Sequence, residues 1–160
     1  MINQILYIFI AYFIGSISFG ILASKIFNIT DPRAMGSKNP GATNVLRTGN
    51  KYAAVFTLLG DMLKATLVVG IALSLNFSGN LLTAVILAVL LGHMYPIFYN
   101  FKGGKGVATA LGILLAINWE LALFTLLIWI IIFFISKYSS LSAIIAAIAS
   151  PLIAYSLNQD

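Results

Sequence analysis

Between Asp31 and Lys51 the chain carries Arg33, Lys38, Arg47 and Lys51, four of its nine basic residues, with Gly36, Gly41, Gly49, Pro32 and Pro40 and no aromatic side chain. At the centre of this island, Gly36-Ser37-Lys38-Asn39-Pro40-Gly41-Ala42-Thr43-Asn44 places small hydroxyl, amide and glycine residues side by side. Glycines let backbone N–H groups converge on one point and form a nest for an anion. Ser37, Asn39, Thr43 and Asn44 add neutral donors, and Arg47 offers a planar fork that fits a phosphate. The same composition also suits a flexible basic loop lying on lipid headgroups.

A second, shorter island follows at Phe101-Lys102-Gly103-Gly104-Lys105-Gly106. Glycines flanked by lysines ahead of an apolar stretch have the look of a phosphate cradle opening a helix. The pattern is not G-x-x-x-x-G-K-[ST], so nucleotide hydrolysis has no support. The plainer alternative is a tight turn with two snorkelling lysines. Together the two islands point to an anion-binding active site at one membrane face.

Outside the islands, three further ionisable residues are candidates for the site. Asp61 and Lys64 are three apart and share one helix face inside an apolar stretch, where such residues are costly and face a bundle interior. They fit a structural lock and a site role equally. His93, the only histidine, lies near the end of its apolar run and suits helix-end hydrogen bonding at least as well as general-base work.

The composition sets the surroundings of these residues. The chain is 61% hydrophobic and 8% charged, against about 25% charged in soluble domains. It cannot cover a water-facing surface and reads as a single integral membrane domain over residues 1–160. The apolar periodicity is helical, not the alternation of an outer-membrane barrel. The net charge of +5 is concentrated in loops, which speaks to topology and anionic ligands and not to nucleic acid. The absence of cysteine excludes disulfides, thiolate metal sites and a protein thioester. The N-terminus lacks the basic n-region of a cleaved signal.

Six apolar runs must position the islands: Ile5–Phe27, Ala53–Leu75, Leu81–Phe101, Val107–Ile117 (short for a span), Leu121–Ser136 and Leu141–Leu157. The expected fold is therefore all-α, a polytopic transmembrane helical bundle of about six spans. Basic charge alternates between loops: it is high in 28–52, at Lys102–Lys105 and at Lys137, and absent from 76–80 and 118–120. The positive-inside bias then puts the N-terminus outside, both islands in the cytoplasm, and Asn158-Gln159-Asp160 outside. Glu120 falls on the opposite face and is left out of the site.

The islands and their neighbours closely resemble the motifs of the bacterial acyl-phosphate:glycerol-3-phosphate acyltransferases, the PlsY family. Gly15-Ser16-Ile17-Ser18-Phe19-Gly20, Asp31-Pro32-Arg33 and Gly36 through Arg47 are similar to the first motif. Gly92-His93-Met94-Tyr95-Pro96 with Phe101 through Thr109 is similar to the second, and Asp61 and Lys64 match an Asp-x-x-Lys of the second span.

The resemblance implies an enzyme that moves a fatty acyl group from acyl phosphate to the 1-hydroxyl of glycerol 3-phosphate, giving lysophosphatidic acid and phosphate in phospholipid synthesis. It implies no metal, nucleotide or other cofactor and no acyl-enzyme. The implied setting is the bacterial cytoplasmic (inner) membrane, with the site facing the cytoplasm and a functional link to the enzyme that makes acyl phosphate. Ser37, Arg47 and Lys105 are the expected catalytic residues. Asn39, Gly41, Thr43, Asn44, His93, Lys102, Gly103, Gly104 and Gly106 are expected to bind substrate. The family pattern has seven spans and a third cytoplasmic motif, His-x-x-Asn-Ile-x-Arg then Glu, which is not found up to Asp160. The chain is thus expected to be truncated relative to the family, with its own activity open. A small transporter of an anionic or phosphorylated solute is the alternative from a different class, and an inactive scaffold subunit is another.

Overall fold

The computed structural model describes residues 2–157. The expected external segment Asn158–Asp160 lies outside the described residues. All regular secondary structure among the described residues is helical. The chain forms two compact units, one up to Ile113 and one from Leu114, and each is described by itself.

The first unit opens with α1 (Ile2–Gly15) and α2 (Phe19–Ile26), bent by 43° at a break over residues 16–18. The polar stretch that follows holds a 3₁₀ turn (Pro32–Ala34) and a short helix α3 (Ala42–Leu46). Then come α4 (Lys51–Ser74) and α5 (Gly79–Met94). Asn50 starts α4, its Oδ1 accepting from the Ala53 N–H at 3.0 Å, which satisfies one of the free donors of a helix N-terminus. At 24 residues and 1.5 Å per residue, α4 is about 36 Å long and can cross a hydrocarbon core of roughly 30 Å. Pro96 follows just beyond the end of α5, where the ring disfavours further helix. A second 3₁₀ turn, Ile97–Tyr99, leads through two left-handed residues, Asn100 and Phe101, into the second island, and α6 (Val107–Ile117) begins right after it.

Small residues let these helices meet. A side chain on Gly15 would strike the Val89 carbonyl, and one on Gly92 the Tyr12 carbonyl, so α1 and α5 pack with their backbones in contact. The Tyr12 hydroxyl donates to the Tyr95 carbonyl at 2.8 Å and ties the end of α5 to α1. Gly112 brings α6 against the Met62 carbonyl of α4, and the Thr66 hydroxyl donates to the Gly112 carbonyl at 3.0 Å. A buried cluster of Ala23, Val45, Ala53 and Ala54, flanked by Phe27, Ile29 and Phe56, seats the polar stretch on α2 and α4.

The second unit is a helical hairpin of α7 (Trp119–Ser136) and α8 (Ser139–Leu157). Asn118 caps α7 by accepting from the Glu120 and Leu121 amides at 2.9 and 3.0 Å. Lys137, left-handed at φ 63°, turns the chain. Both helices expose large apolar side chains, Ile135 and Leu152 among them, as a surface that meets lipid does.

The span count differs from the six expected. Among the described residues, four helices or helical stretches are long and apolar enough to cross a membrane, and α1 with α2 makes a fifth if the bent pair counts as one. The run Val107–Ile117 forms a helix of only 11 residues, about 16 Å long and too short to cross alone. The first run, read as continuous from Ile5 to Phe27, is broken at Ser16–Ser18.

Candidate active site

The first island is shaped from within. Asp31 caps its 3₁₀ turn, Oδ1 accepting from the Arg33 N–H at 2.8 Å, while the carboxylate takes the Arg33 guanidinium at Nη2 (2.7 Å) and Nε (3.1 Å). These hydrogen bonds hold the Asp31 carboxyl below the usual carboxylate range, against an opposing effect of burial. Arg33 is thereby engaged inside the loop. Asn44, buried, donates through Nδ2 to the Pro32 and Met35 carbonyls at 2.7 and 3.1 Å and accepts the Ser37 N–H on Oδ1 at 3.0 Å. Gly36 is left-handed at φ 52° and lies against Asn44 and Arg47. Ser37, Lys38, Thr43 and Arg47 are exposed around this frame.

The second island folds back on the end of α5. The Gly104 N–H donates to the His93 carbonyl at 3.1 Å. A side chain on Gly103 would strike the His93 and Met94 carbonyls, and one on Gly104 would strike Nε2 of the His93 ring. Both glycines are therefore needed for the loop to lie on His93. Gly106, at φ 79°, turns the chain into α6. Lys102 and Lys105 are exposed.

A buried polar hub joins this loop to the break in the first span. Asp61, Lys64 and His93 are 2%, 5% and 5% exposed. Lys64 Nζ lies 2.8 Å from Asp61 Oδ1 and 3.1 Å from His93 Nδ1, and it also donates to the Ile17 carbonyl. Asp61 Oδ1 accepts the Phe19 N–H at 3.4 Å. A cation thus sits on a free carbonyl at the end of α1 and an anion on a free amide at the start of α2. This meets both the unsatisfied groups and the dipoles of the two helix ends. One residue further, Gly20 lies against the Pro40 carbonyl of the first island. Contacts therefore run from Gly104 through His93 and Lys64 to the break, and on to Pro40.

An apolar groove of about 610 Å³ lies between α1, α2 and α4, lined by Tyr7, Ile10, Ile14, Leu63, Leu67 and Ile71 among others. Ile17, Phe19 and Lys64 line it as well, so the groove runs into the hub. Along α4 it extends from Phe56 to Ile71, about 22 Å at helical rise and deeper than one leaflet of a core roughly 30 Å thick.

The sequence profile of the Glycerol-3-phosphate acyltransferase family matches residues 5–159. The chain belongs to this family. A glycerol-3-phosphate acyltransferase of Methylobacillus flagellatus is 53% identical over 155 residues, which cover 97% of this chain and 79% of the relative. One from Cupriavidus pinatubonensis is 54% identical, over 93% of this chain and 76% of that one. Two crystal structures of PlsY, an integral membrane glycerol 3-phosphate acyltransferase, superpose closely. The glycerol 3-phosphate form has a TM-score of 0.91 at 42% identity, covering 97% of this chain and 78% of that one. The lysophosphatidic acid form has a TM-score of 0.89 at 41% identity, covering 97% and 77%.

As an acyltransferase of this family, embedded in a membrane, the protein brings together part of what its sequence singled out. Gly36, Ser37, Asn44 and Arg47 meet within the first island, and Gly103 and Gly104 of the second lie on His93 at the end of α5. Asn44, expected to contact substrate, has both amide N–H groups engaged by the loop. The sequence reading missed the helix break, the bond of Lys64 to His93 and the packing of Gly36 against Asn44 and Arg47. The run Gly-Ser-Ile-Ser-Phe-Gly beside a buried acid–base pair was the available signal for the break.

Proposed function

We propose that this glycerol-3-phosphate acyltransferase uses acyl phosphate as its donor, with the two islands forming one site on the cytoplasmic face of the bacterial inner membrane. The observation that carries the reading is the meeting of the apolar groove with the polar hub at Ile17, Phe19 and Lys64. An acyl tail and a phosphate head need such a junction. The cytoplasmic assignment rests on the basic residues of both loops.

In this reading the acyl tail lies in the groove between α1, α2 and α4. Gly41, Thr43 and Asn39 cradle the acyl phosphate head. Arg47, with Lys102 or Lys105, binds the phosphate of glycerol 3-phosphate, helped by the backbone of Gly103, Gly104 and Gly106 and by His93. Ser37 orients the attacking hydroxyl, and Asn44 shapes the loop. The 1-hydroxyl oxygen attacks the acyl carbonyl carbon. A new ester C–O bond forms, the C–O bond to phosphate breaks, and the hydroxyl proton leaves on a phosphate oxygen. Acyl phosphate is already a mixed anhydride, so positioning and charge neutralisation supply the catalysis. Acyl phosphate must come from another enzyme, which makes that enzyme a functional partner.

Membranes containing the chain, given labelled glycerol 3-phosphate and palmitoyl phosphate, are expected to form lysophosphatidic acid, and Arg47→Ala is expected to abolish it. Wild-type turnover by Arg47→Ala would remove the phosphate clamp from the site.

A further inference from the structure

We infer that Lys64 is a positioning residue that holds His93 as a neutral imidazole with its proton on Nε2, presented to the Gly103–Gly104 segment. The inference rests on the phosphate-binding reading of that segment given above. An ammonium group has three N–H donors and no acceptor. Lys64 has three acceptors in reach: Asp61 Oδ1 at 2.8 Å, the Ile17 carbonyl and His93 Nδ1 at 3.1 Å. For Nδ1 to accept, its lone pair must be free and the ring proton must sit on Nε2. The opposite form would give Nδ1–H to Asp61 Oδ1 across a longer 3.4 Å, and would set that N–H against the ammonium as two facing donors. At the other edge of the ring, Nε2 stands where a side chain on residue 104 would be, and the Gly104 N–H is held by the His93 carbonyl at 3.1 Å. Lys64 thus fixes, from within the bilayer, a neutral N–H donor at the backbone of the second island. It adds a hydrogen bond for a phosphate oxygen without adding charge beside Lys102 and Lys105.

His93 is the only histidine, so nitrogen NMR of the full chain in detergent micelles, with isotope-labelled histidine, reads this one ring. At neutral pH a protonated Nε2 and an unprotonated, hydrogen-bonded Nδ1 are expected. Lys64→Met removes the donor to Nδ1 and leaves the ring as the partner of Asp61, so Nδ1 should gain a proton. An Nδ1–H or doubly protonated ring in the unsubstituted chain overturns the assignment even if Lys64→Met does not fold. An unchanged ring in a folded Lys64→Met protein overturns it too. In turnover, Lys64→Met and His93→Leu should raise KM for glycerol 3-phosphate about tenfold, the scale of one lost hydrogen bond to a charged group. kcat should change less, and His93→Gln, whose amide can place an N–H near the Nε2 position, should lose less than His93→Leu. Equal falls in kcat and kcat/KM with unchanged KM contradict the positioning role. The ring spectrum does not depend on turnover. An Nε2–H ring in a chain that forms no lysophosphatidic acid would uphold the tautomer and overturn the proposed active site instead.

Discussion

Gly36 and Arg47 share one volume: Arg47 Nη1 and Cδ lie 3.0 and 3.2 Å from where a Cβ on Gly36 would stand, and that Cβ would also meet Asn44 Oδ1. Gly36→Ala therefore displaces the arginine and the loop's organising amide together, in a backbone conformation already costly by about 1–2 kcal/mol for alanine. We expect at least a tenfold loss of lysophosphatidic acid formation. Gly49 is also left-handed, at φ 85°, but a Cβ there meets nothing within 4 Å. Gly49→Ala is thus the control, costing about 1 kcal/mol of stability with a far smaller loss of turnover. Parallel assays and thermal melts of the two variants distinguish crowding of Arg47 from strain alone.

Asn44→Ala removes three hydrogen bonds and leaves two carbonyls and the Ser37 N–H without their partner. Unsatisfied groups of this kind cost about 1–3 kcal/mol. Amide exchange from Arg33 to Ser37 should accelerate, while that of α4 should not.

Breaking the buried pair should be worse than removing it. Asp61→Leu or Lys64→Met alone leaves one charge, 2–5% exposed, without its counter-ion, a loss of about 3–5 kcal/mol. The double variant should recover part of that loss in a detergent melt. A double variant as unstable as the sum of the singles would show that the two side chains act independently.

Leu67 lines the groove on α4, one turn beyond Lys64 from the first island, and is 62% exposed. Leu67→Trp should narrow the groove there and leave its hub end open. We expect kcat/KM to fall more for palmitoyl phosphate than for octanoyl phosphate. An equal effect on both donors would place the tail elsewhere.

Asp31 sets a pH dependence outside the membrane. Its carboxyl is depressed in the folded protein, chiefly by hydrogen bonds from the Arg33 side chain. Its contribution is therefore fully present above the ordinary aspartate value, about 3.9, and fades as pH falls through the lower folded value. Asp31 and Arg33 side chains are 37% and 33% exposed, so the contribution should stay under about 1 kcal/mol. Protection of the Arg33 amide against exchange should fall once the pH drops below the ordinary aspartate value, about 3.9, and Asp31→Asn should abolish that step.

The longer helices α4, α5, α7 and α8 were legible because each fills most of one apolar run. The two islands were legible as polar segments because glycines, lysines and an arginine stand out in so apolar a chain. The pairing of Asp61 with Lys64 followed from helical spacing. Their bonds to His93, Ile17 and Phe19 did not, since these partners lie 29, 47 and 42 residues away and no local rule joins them. The break after Gly15 was hidden for the same reason. Glycine and serine there fit close packing as well as an interrupted helix, and only the charges on α4 decide between them. The loop bonds of Asn44 to Pro32, Met35 and Ser37 were not legible, because its amide suits a ligand and a loop equally.

The break also dictates an order of assembly. The Ile17 carbonyl and the Phe19 amide find their partners on α4, which is synthesised only after the whole first island. Hydrocarbon offers no substitute partner for such groups. The nascent first span therefore cannot hold its final bent shape in lipid until Lys64 and Asp61 have left the ribosome. Its completion is coupled to the arrival of the second long helix, and the pair that later supports the site first serves as the latch of membrane integration.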